Sequence, residues 1–278
     1  MIPYFNGHLF SIPAISLFGH VFGPISIEMF GVLVALGVIF GDQIVVRRGV
    51  QMGLDAQDIK FLNARIVIGG FIMAHLVSVI FYFPERIKEN PLVLINVWSG
   101  LSSFGGFLGA ALAFLYYTRR EKISALRYAD AVALGLVVGW IFGRTGCFTA
   151  HDHPGLKTDF FLAVQYPGGA RHDLGLDELL FTIVIAVILF RFARTPRPPG
   201  RVIGLFAVLY APVRFGLDFL RSHDASYARP DERYAGLTPA QWACMLCLAI
   251  GLWLLTRKSE EAPPPTAVPP APLEAPPA

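Results

Sequence analysis

The chain has 278 residues, of which 54% are hydrophobic and only 15% charged, and its mean hydropathy is +0.55. Soluble domains are about a quarter charged, so this balance excludes an ordinary water-soluble protein. The net charge of +3 leaves no basic footprint for nucleic acid.

The stretch LFSIPAISLFGHVFGPI is apolar but broken by Pro13, Gly19, Gly23 and Pro24, and reads as an interfacial segment instead of a span. The first 20 residues lack a basic n-region and an A-x-A-like site, so a cleaved leader is not expected. Seven apolar runs follow at about the length that crosses a hydrocarbon core: 25–46, 61–83, 92–117, 129–150, 176–195, 201–220 and 239–256. Gly105 and Gly109 on the third run, and Gly135, Gly139 and Gly143 on the fourth, recur every four residues. Such spacing lets backbones approach closely, and the expectation is a close-packed third and fourth helix that holds the outer end of the fourth rigid. Cys147, Cys244 and Cys247 all fall in apolar sequence, and Cys244 with Cys247 reads as two small buried side chains. From Glu261 onward eight prolines in 18 residues preclude helix or core. The division is therefore a membrane domain over 1–258 and a disordered cytoplasmic tail over 259–278.

Thirteen Lys and Arg residues fall in connections on one side of the spans and seven on the other. The positive-inside rule then puts the N-terminus outside and the C-terminus in the cytoplasm. The fold class expected is an all-α integral membrane protein with seven transmembrane helices.

Arg144 and Arg214 lie inside two of these runs. An arginine at mid-bilayer costs at least about 2.5–3.5 kcal/mol, so each needs an anion. Arg144 precedes Ala150 by six residues and Arg214 precedes Arg221 by seven, on helices of the same direction, which sets both about 9–10 Å below the outer boundary. Two guanidiniums at one depth suit a lipid phosphodiester. The competing partners are internal carboxylates: Glu28, Asp42, Asp130, Asp177, Glu178 and Asp218 lie in or at the ends of spans, and Asp218 follows Arg214 by four residues. Tyr210, Arg214, Asp218 and Arg221 form one polar stripe. Beyond the fourth run, His151-Asp152-His153-Pro154-Gly155 stops the helix and offers candidate bases. With His172 and Asp173 these histidines make a weak metal pattern, and no metal or other cofactor is expected.

GRTGCFTAHDHPG resembles the signature G-R-x-G-N-F-x-N-x-E-x-x-G of bacterial prolipoprotein diacylglyceryl transferases, through Gly143, Arg144, Gly146, Phe148 and Gly155. GPISIEMFG, SSFGGFLGA, ARHDLGLDELL, YAPVRFGLDFLR with HDA, and GLTPAQ are similar, in order and spacing, to further elements of that family. The chain departs from the family with Phe30 for Tyr, Phe104 for His, Cys147 and Ala150 for Asn, and Asp152 and Asp218 for Glu. The resemblance implies transfer of the diacylglyceryl group of phosphatidylglycerol to the lipobox cysteine of a preprolipoprotein. It also implies the bacterial inner membrane, with the site toward the periplasm. It implies that Arg144 and Arg214 hold the phosphodiester; with Phe104 in place of the family's histidine, the base among the catalytic residues would be His151, Asp152 or His153 of this chain. Gly105, Gly106, Cys147, Gly155, Tyr210, Asp218, Arg221, Phe30 and Phe104, with Arg144, would bind substrate. The partners are phosphatidylglycerol, the signal peptide and the bilayer, with no nucleic acid, and the chain is expected to be a monomer. The alternative reading is a non-catalytic paralogue that binds anionic phospholipid or signal peptide.

Overall fold

The computed structural model describes residues 1–13, 15–17, 20–22, 25–96, 100–224 and 233–258; the expected proline-rich tail lies outside them. Five short strands precede the first helix: β1 (Ile2–Pro3), β2 (His8–Ile12), β3 (Ile15–Leu17), β4 (His20–Phe22) and β5 (Ile25–Glu28). Then come α1 (Met29–Gln51), α2 (Ala56–Val77) running into a π turn, the short α3 (Glu85–Glu89), α4 (Ser103–Arg120) and α5 (Ala125–Ala150). Strands β6 (Pro154–Lys157), β7 (Val164–Tyr166) and β8 (Gly169–Asp173) lead to α6 (Leu174–Phe192), α7 (Arg201–Leu217) and α8 (Pro239–Thr256).

The fold is mostly helical, and among the described residues five helices are long and apolar enough to cross a membrane: Met29–Gln51, Ala56–Tyr82, Ala125–Ala150, Arg201–Leu220 and Pro239–Thr256. The other two apolar runs of the sequence coincide with α4, which ends on Arg119 and Arg120, and α6, which carries Asp177, Glu178 and Arg191. Helix boundaries moved where local caps took over. The second helix starts at Ala56 because the Asp55 carboxylate accepts the Gln57 and Asp58 N–H groups, and the fourth waits for the Ser102 cap, ten residues after the apolar run begins. Ile25–Glu28, expected as the first turn of a helix, instead pairs antiparallel with β2.

The described residues form two compact units, one of residues 1–45 with 130–258, the other of Val46–Ala129. In the first, α5, α6 and α7 share a core of Ala133, Leu134, Val137, Ile185, Ala186, Leu189, Val202 and Phe206. Asp130 fastens the start of α7: its buried carboxylate accepts the Gly200, Val202 and Ile203 N–H groups at 2.7, 3.0 and 2.9 Å. These are orphan donors of a helix N-terminus, where negative charge is favoured. The fourth-run glycines do serve close approach, but toward α1. A Cβ at Gly135 would stand 2.5 Å from the Gly41 carbonyl and 2.2 Å from Val45, and one at Gly139 3.2 Å from the Gly37 carbonyl, whereas Gly143 has nothing within 4 Å. In the second unit the third-run glycines meet α2, with a Cβ at Gly109 2.2 Å from the Gly69 carbonyl. The glycines of the third and fourth runs therefore mark two separate helix pairs, not a seam between those two helices. Asp58 also closes this unit by accepting the Tyr117 and Tyr128 hydroxyls, both at 3.3 Å.

In the first unit the connection between α5 and α6 folds as a small sheet in the order β1-β7-β8-β6, in which β1 pairs parallel with β7. The chain leaving α7 joins its far edge, through a Gly155–Arg221 bridge and a Ser222 N–H to Pro154 carbonyl bond of 3.1 Å. This sheet sits where α5 ends and α6 begins, so it sets the surroundings of the polar groups on those helices.

Candidate active site

Above the apolar core, α5, α6 and α7 each contribute polar side chains to one cluster. Its centre is Glu178, in the second turn of α6, with a side chain 3% exposed. Arg144 Nε lies 2.8 Å from Glu178 Oε1 and Arg214 Nε 3.8 Å from Oε2, so the two arginines converge on a carboxylate from a third helix. Trp140 donates its indole N–H to Oε1 at 3.0 Å, and the Tyr210 hydroxyl donates to the same oxygen. The Arg144 guanidinium also lies over the Trp140 ring, 4.8 Å from its centroid. A buried carboxylate keeps its charge only when paired and hydrogen-bonded, and Glu178 has both kinds of support.

The stripe on α7 continues the cluster toward the sheet. Arg214 reaches Asp218 at 2.9 Å and Arg221 reaches the same Oδ1 at 3.0 Å, while the Thr238 hydroxyl at the start of α8 donates to Oδ2. Arg214 therefore has the i+4 carboxylate as a partner, and the group it shares with Arg144 is another internal carboxylate, Glu178. Gly155 is the hinge of this rim: a Cβ there would meet the Leu220 carbonyl at 2.9 Å and His172 at 2.7 Å, so only glycine admits the Arg221 bridge. Arg171, buried in the sheet, donates to the Gly155 carbonyl, Ser222 and Asp224, and holds the Asp224 carboxyl below the usual range.

Cys147, Asp152 and His153 adjoin this network. Arg144 donates to Cys147 Sγ at 3.5 Å, and the ligand atoms of the three residues all lie within 4.8 Å of one another. Thiol, carboxylate and imidazole are a donor set for a thiophilic divalent ion. Arg144 beside the thiol, however, and Arg144 with Arg221 acting on His153, make a positive field that opposes a cation. His153 is chemically the more telling residue. Its Nδ1 lies 2.9 Å from the Asp152 carbonyl, which can only accept, so Nδ1 carries the proton and Nε2 the lone pair. Burial, reinforced by Arg144 and Arg221 and countered by Asp152, lowers its pKa.

His151 has a different environment. It ends α5 in a left-handed conformation, φ 50°, so this residue and not the Pro-Gly pair after it breaks the helix. Its buried Nδ1 lies 2.7 Å from Asp173, its ring stacks on Tyr4 at 4.4 Å, and Phe5, Phe148 and Tyr166 meet its edges and faces. Asp173 also accepts the Tyr166 hydroxyl at 2.8 Å and caps α6 through the Leu176 N–H. Burial and Asp173 push the Tyr166 phenol up, which keeps it a donor. His172 pairs with Asp177 at 3.1 Å, so of the His-rich metal pattern His151 and Asp173 form one pair, His172 is held in another, and His153 lies apart with Asp152 and Cys147.

Set beside known proteins, the sequence profile described as prolipoprotein diacylglyceryl transferase matches residues 17–257. The chain belongs to this family. It is 31% identical over 250 residues to the phosphatidylglycerol–prolipoprotein diacylglyceryl transferase of Polynucleobacter asymbioticus, covering 86% of this chain and 95% of the relative. It is 32% identical to the enzyme of that name from Chromohalobacter salexigens, over 80% of this chain and 82% of the relative. With the one from Vibrio parahaemolyticus the identity is 35%, over 73% and 77%.

Of the family positions singled out in the sequence, Arg144, Arg214, Tyr210, Asp218, Arg221, Gly155 and Cys147 come together, with Asp152 and His153 at the edge. Phe30 lies against Gly146, whose Cβ would stand 3.0 Å from its ring. Gly105, Gly106 and the exposed Phe104 belong to the other unit, where Gly105 and Gly106 abut α2. Two residues at the centre, Trp140 and Thr238, were not singled out, and Glu178 was named only among the internal carboxylates that could pair with the arginines. Glu178 had the available signal, a carboxylate inside an apolar helix. Thr238 begins a T-x-x-Q capping box with Gln241, and Trp140 precedes Arg144 by one turn.

Proposed function

We propose that this chain transfers the diacylglyceryl group of phosphatidylglycerol to the lipobox cysteine thiol of preprolipoproteins. The observation that carries the reading is the convergence of Arg144 and Arg214 on Glu178, which sets two guanidiniums side by side. The oxygens of a phosphodiester match two guanidinium forks held in this way. Arg144 and Arg214 hold its oxygens and stabilise the charge that grows as the phosphate leaves. Glu178, fixed by Trp140 and Tyr210, positions both guanidiniums before the lipid arrives.

The acceptor thiol must lose its proton, because the thiolate is the nucleophile. His153 Nε2 takes it: the ring is neutral, its tautomer is set by the Asp152 carbonyl, and its side chain is 27% exposed and open to an incoming peptide. Sulfur attacks the diacylglyceryl carbon, the carbon–oxygen bond to phosphate breaks, and glycerol phosphate departs with that bond's electrons. His151, enclosed by aromatic rings, instead braces the junction of α5 and α6. In this reading the chain is a monomer in the bacterial inner membrane with seven spans, its N-terminus and site on the periplasmic side.

The test is complementation in cells depleted of their own transferase, reading diacylglycerol on a reporter preprolipoprotein. Wild type should restore modification and Arg144→Ala should abolish it. Binding of phosphatidylglycerol without any modification by wild type would replace the enzyme with a lipid-binding paralogue.

A further inference from the structure

The reaction leaves unused a shallow groove of about 470 Å³ between α5 and α6. Ile183, Ala186, Val187, Phe190, Arg191 and Arg194 line it from the α6 side, at spacings of three and one that keep them on one helical face, and Ile141 lines it from α5. Its volume falls within the roughly 300–1,000 Å³ range of ligand sites. From Ile183 to Arg191 it runs about 12 Å along the helix, at 1.5 Å per residue.

The groove is apolar along its length and cationic at one end. Nearby cations are already engaged: Arg197 donates to the Phe192 carbonyl and covers the Phe192 ring, and Arg201 donates to the Arg257 carbonyl. Arg191 and Arg194 are exposed and, among the described residues, pair with no carboxylate. An apolar slot ending in two such guanidiniums is complementary to one ligand chemistry, a long hydrocarbon carrying an anionic head. Basic pockets between spanning helices take phospholipid headgroups in this way.

We infer that this groove holds an acyl chain of an anionic phospholipid whose phosphate rests on Arg191 and Arg194, in the leaflet at the C-terminal end of α6. The polarity sets the direction. A lipid whose head lay at the Arg144–Glu178 end would leave its terminal methyls among two guanidiniums, which costs desolvation and gains nothing. A lipid from the other leaflet meets the cations with its phosphate and the apolar walls with its chain. It is a second lipid, distinct from the substrate.

Photo-crosslinking tests this. Full-length protein in phosphatidylcholine nanodiscs is given phosphatidylglycerol, or phosphatidylcholine, bearing a diazirine at the chain end, and labelled peptides are mapped. The phosphatidylglycerol probe should label the segments around Ile141 and Ile183–Val187 in preference to the phosphatidylcholine probe. Arg191→Gln with Arg194→Gln should reduce that preference roughly thirtyfold, about fivefold per arginine, while the paired Lys variants keep it and serve as the control for folding. Arg144→Ala should leave the labelling in place. Equal labelling by both probes overturns the inference. So does loss of labelling in Arg144→Ala, which would make the chain that of the substrate and leave the transferase reading standing.

Discussion

Glu178 decides how Arg144 and Arg214 behave, since it is the carboxylate that both reach among the described residues. Glu178→Gln keeps the shape and removes the charge. Two guanidiniums, 11% and 14% exposed, then face the low-dielectric interior with only Asp218 between them. Breaking a buried pair from one side costs about 3–5 kcal/mol, so thermal unfolding in detergent should move to clearly lower temperature and the transfer rate should fall. An unchanged midpoint would mean that Glu178 is not a charge partner in solution. His153 makes a separate prediction. Its pKa is lowered by burial and by Arg144 and Arg221, so it is neutral at pH 7 and competent as a base. As pH falls through that lowered pKa the ring gains its proton, and kcat/KM should decline along an acid limb centred below about 6.5, the ordinary histidine value. His153→Gln should remove the limb and cost about 10²–10⁴ in rate. A limb that persists in this variant assigns the base elsewhere.

Helix pairing rests on backbone proximity at single glycines, and neighbouring positions give opposite forecasts. Gly135→Ala drives a methyl toward the Gly41 carbonyl and Val45, and should destabilise by about 1–3 kcal/mol. Gly143→Ala, on the same helix with nothing within 4 Å, should be neutral or gain about 0.5–1 kcal/mol from reduced backbone freedom. Comparing the two unfolding midpoints checks the pairing of α1 with α5. The helices themselves were legible in the sequence, because unbroken apolar runs advertise them. Their partners were not: a glycine spacing shows that a close approach exists without naming the helix that makes it. The same limit applies to the site. The Arg214–Asp218 pair is visible as an i,i+4 spacing, whereas Glu178 meets Arg144 from another helix, 34 positions further along the chain. The strands were missed because two to five residues among glycines and prolines carry no periodicity to read. His151 reads as a candidate base in the sequence because the rings that bury it, Tyr4 and Phe5, come from a distant part of the chain.

At the scale of the molecule, the proposed topology is open to a direct check. Alkaline phosphatase, active only outside the cytoplasm, should be active when fused after Thr158 and inactive when fused after Lys258; the reverse pattern would invert the orientation. One consequence follows for assembly from the pairing of Ile2 with Val164. The first strand to leave the ribosome has its partner in the connection between α5 and α6, so it must wait through the synthesis of the intervening helices. At about 5–20 residues per second that is roughly 8–30 s of translation. During this interval Tyr4 and Phe5 have no His151 to cover, and β1 has no sheet to join. The rim around the arginines is thus among the last parts to be finished, and a nascent chain cannot present a completed lipid site before most of it is in the membrane.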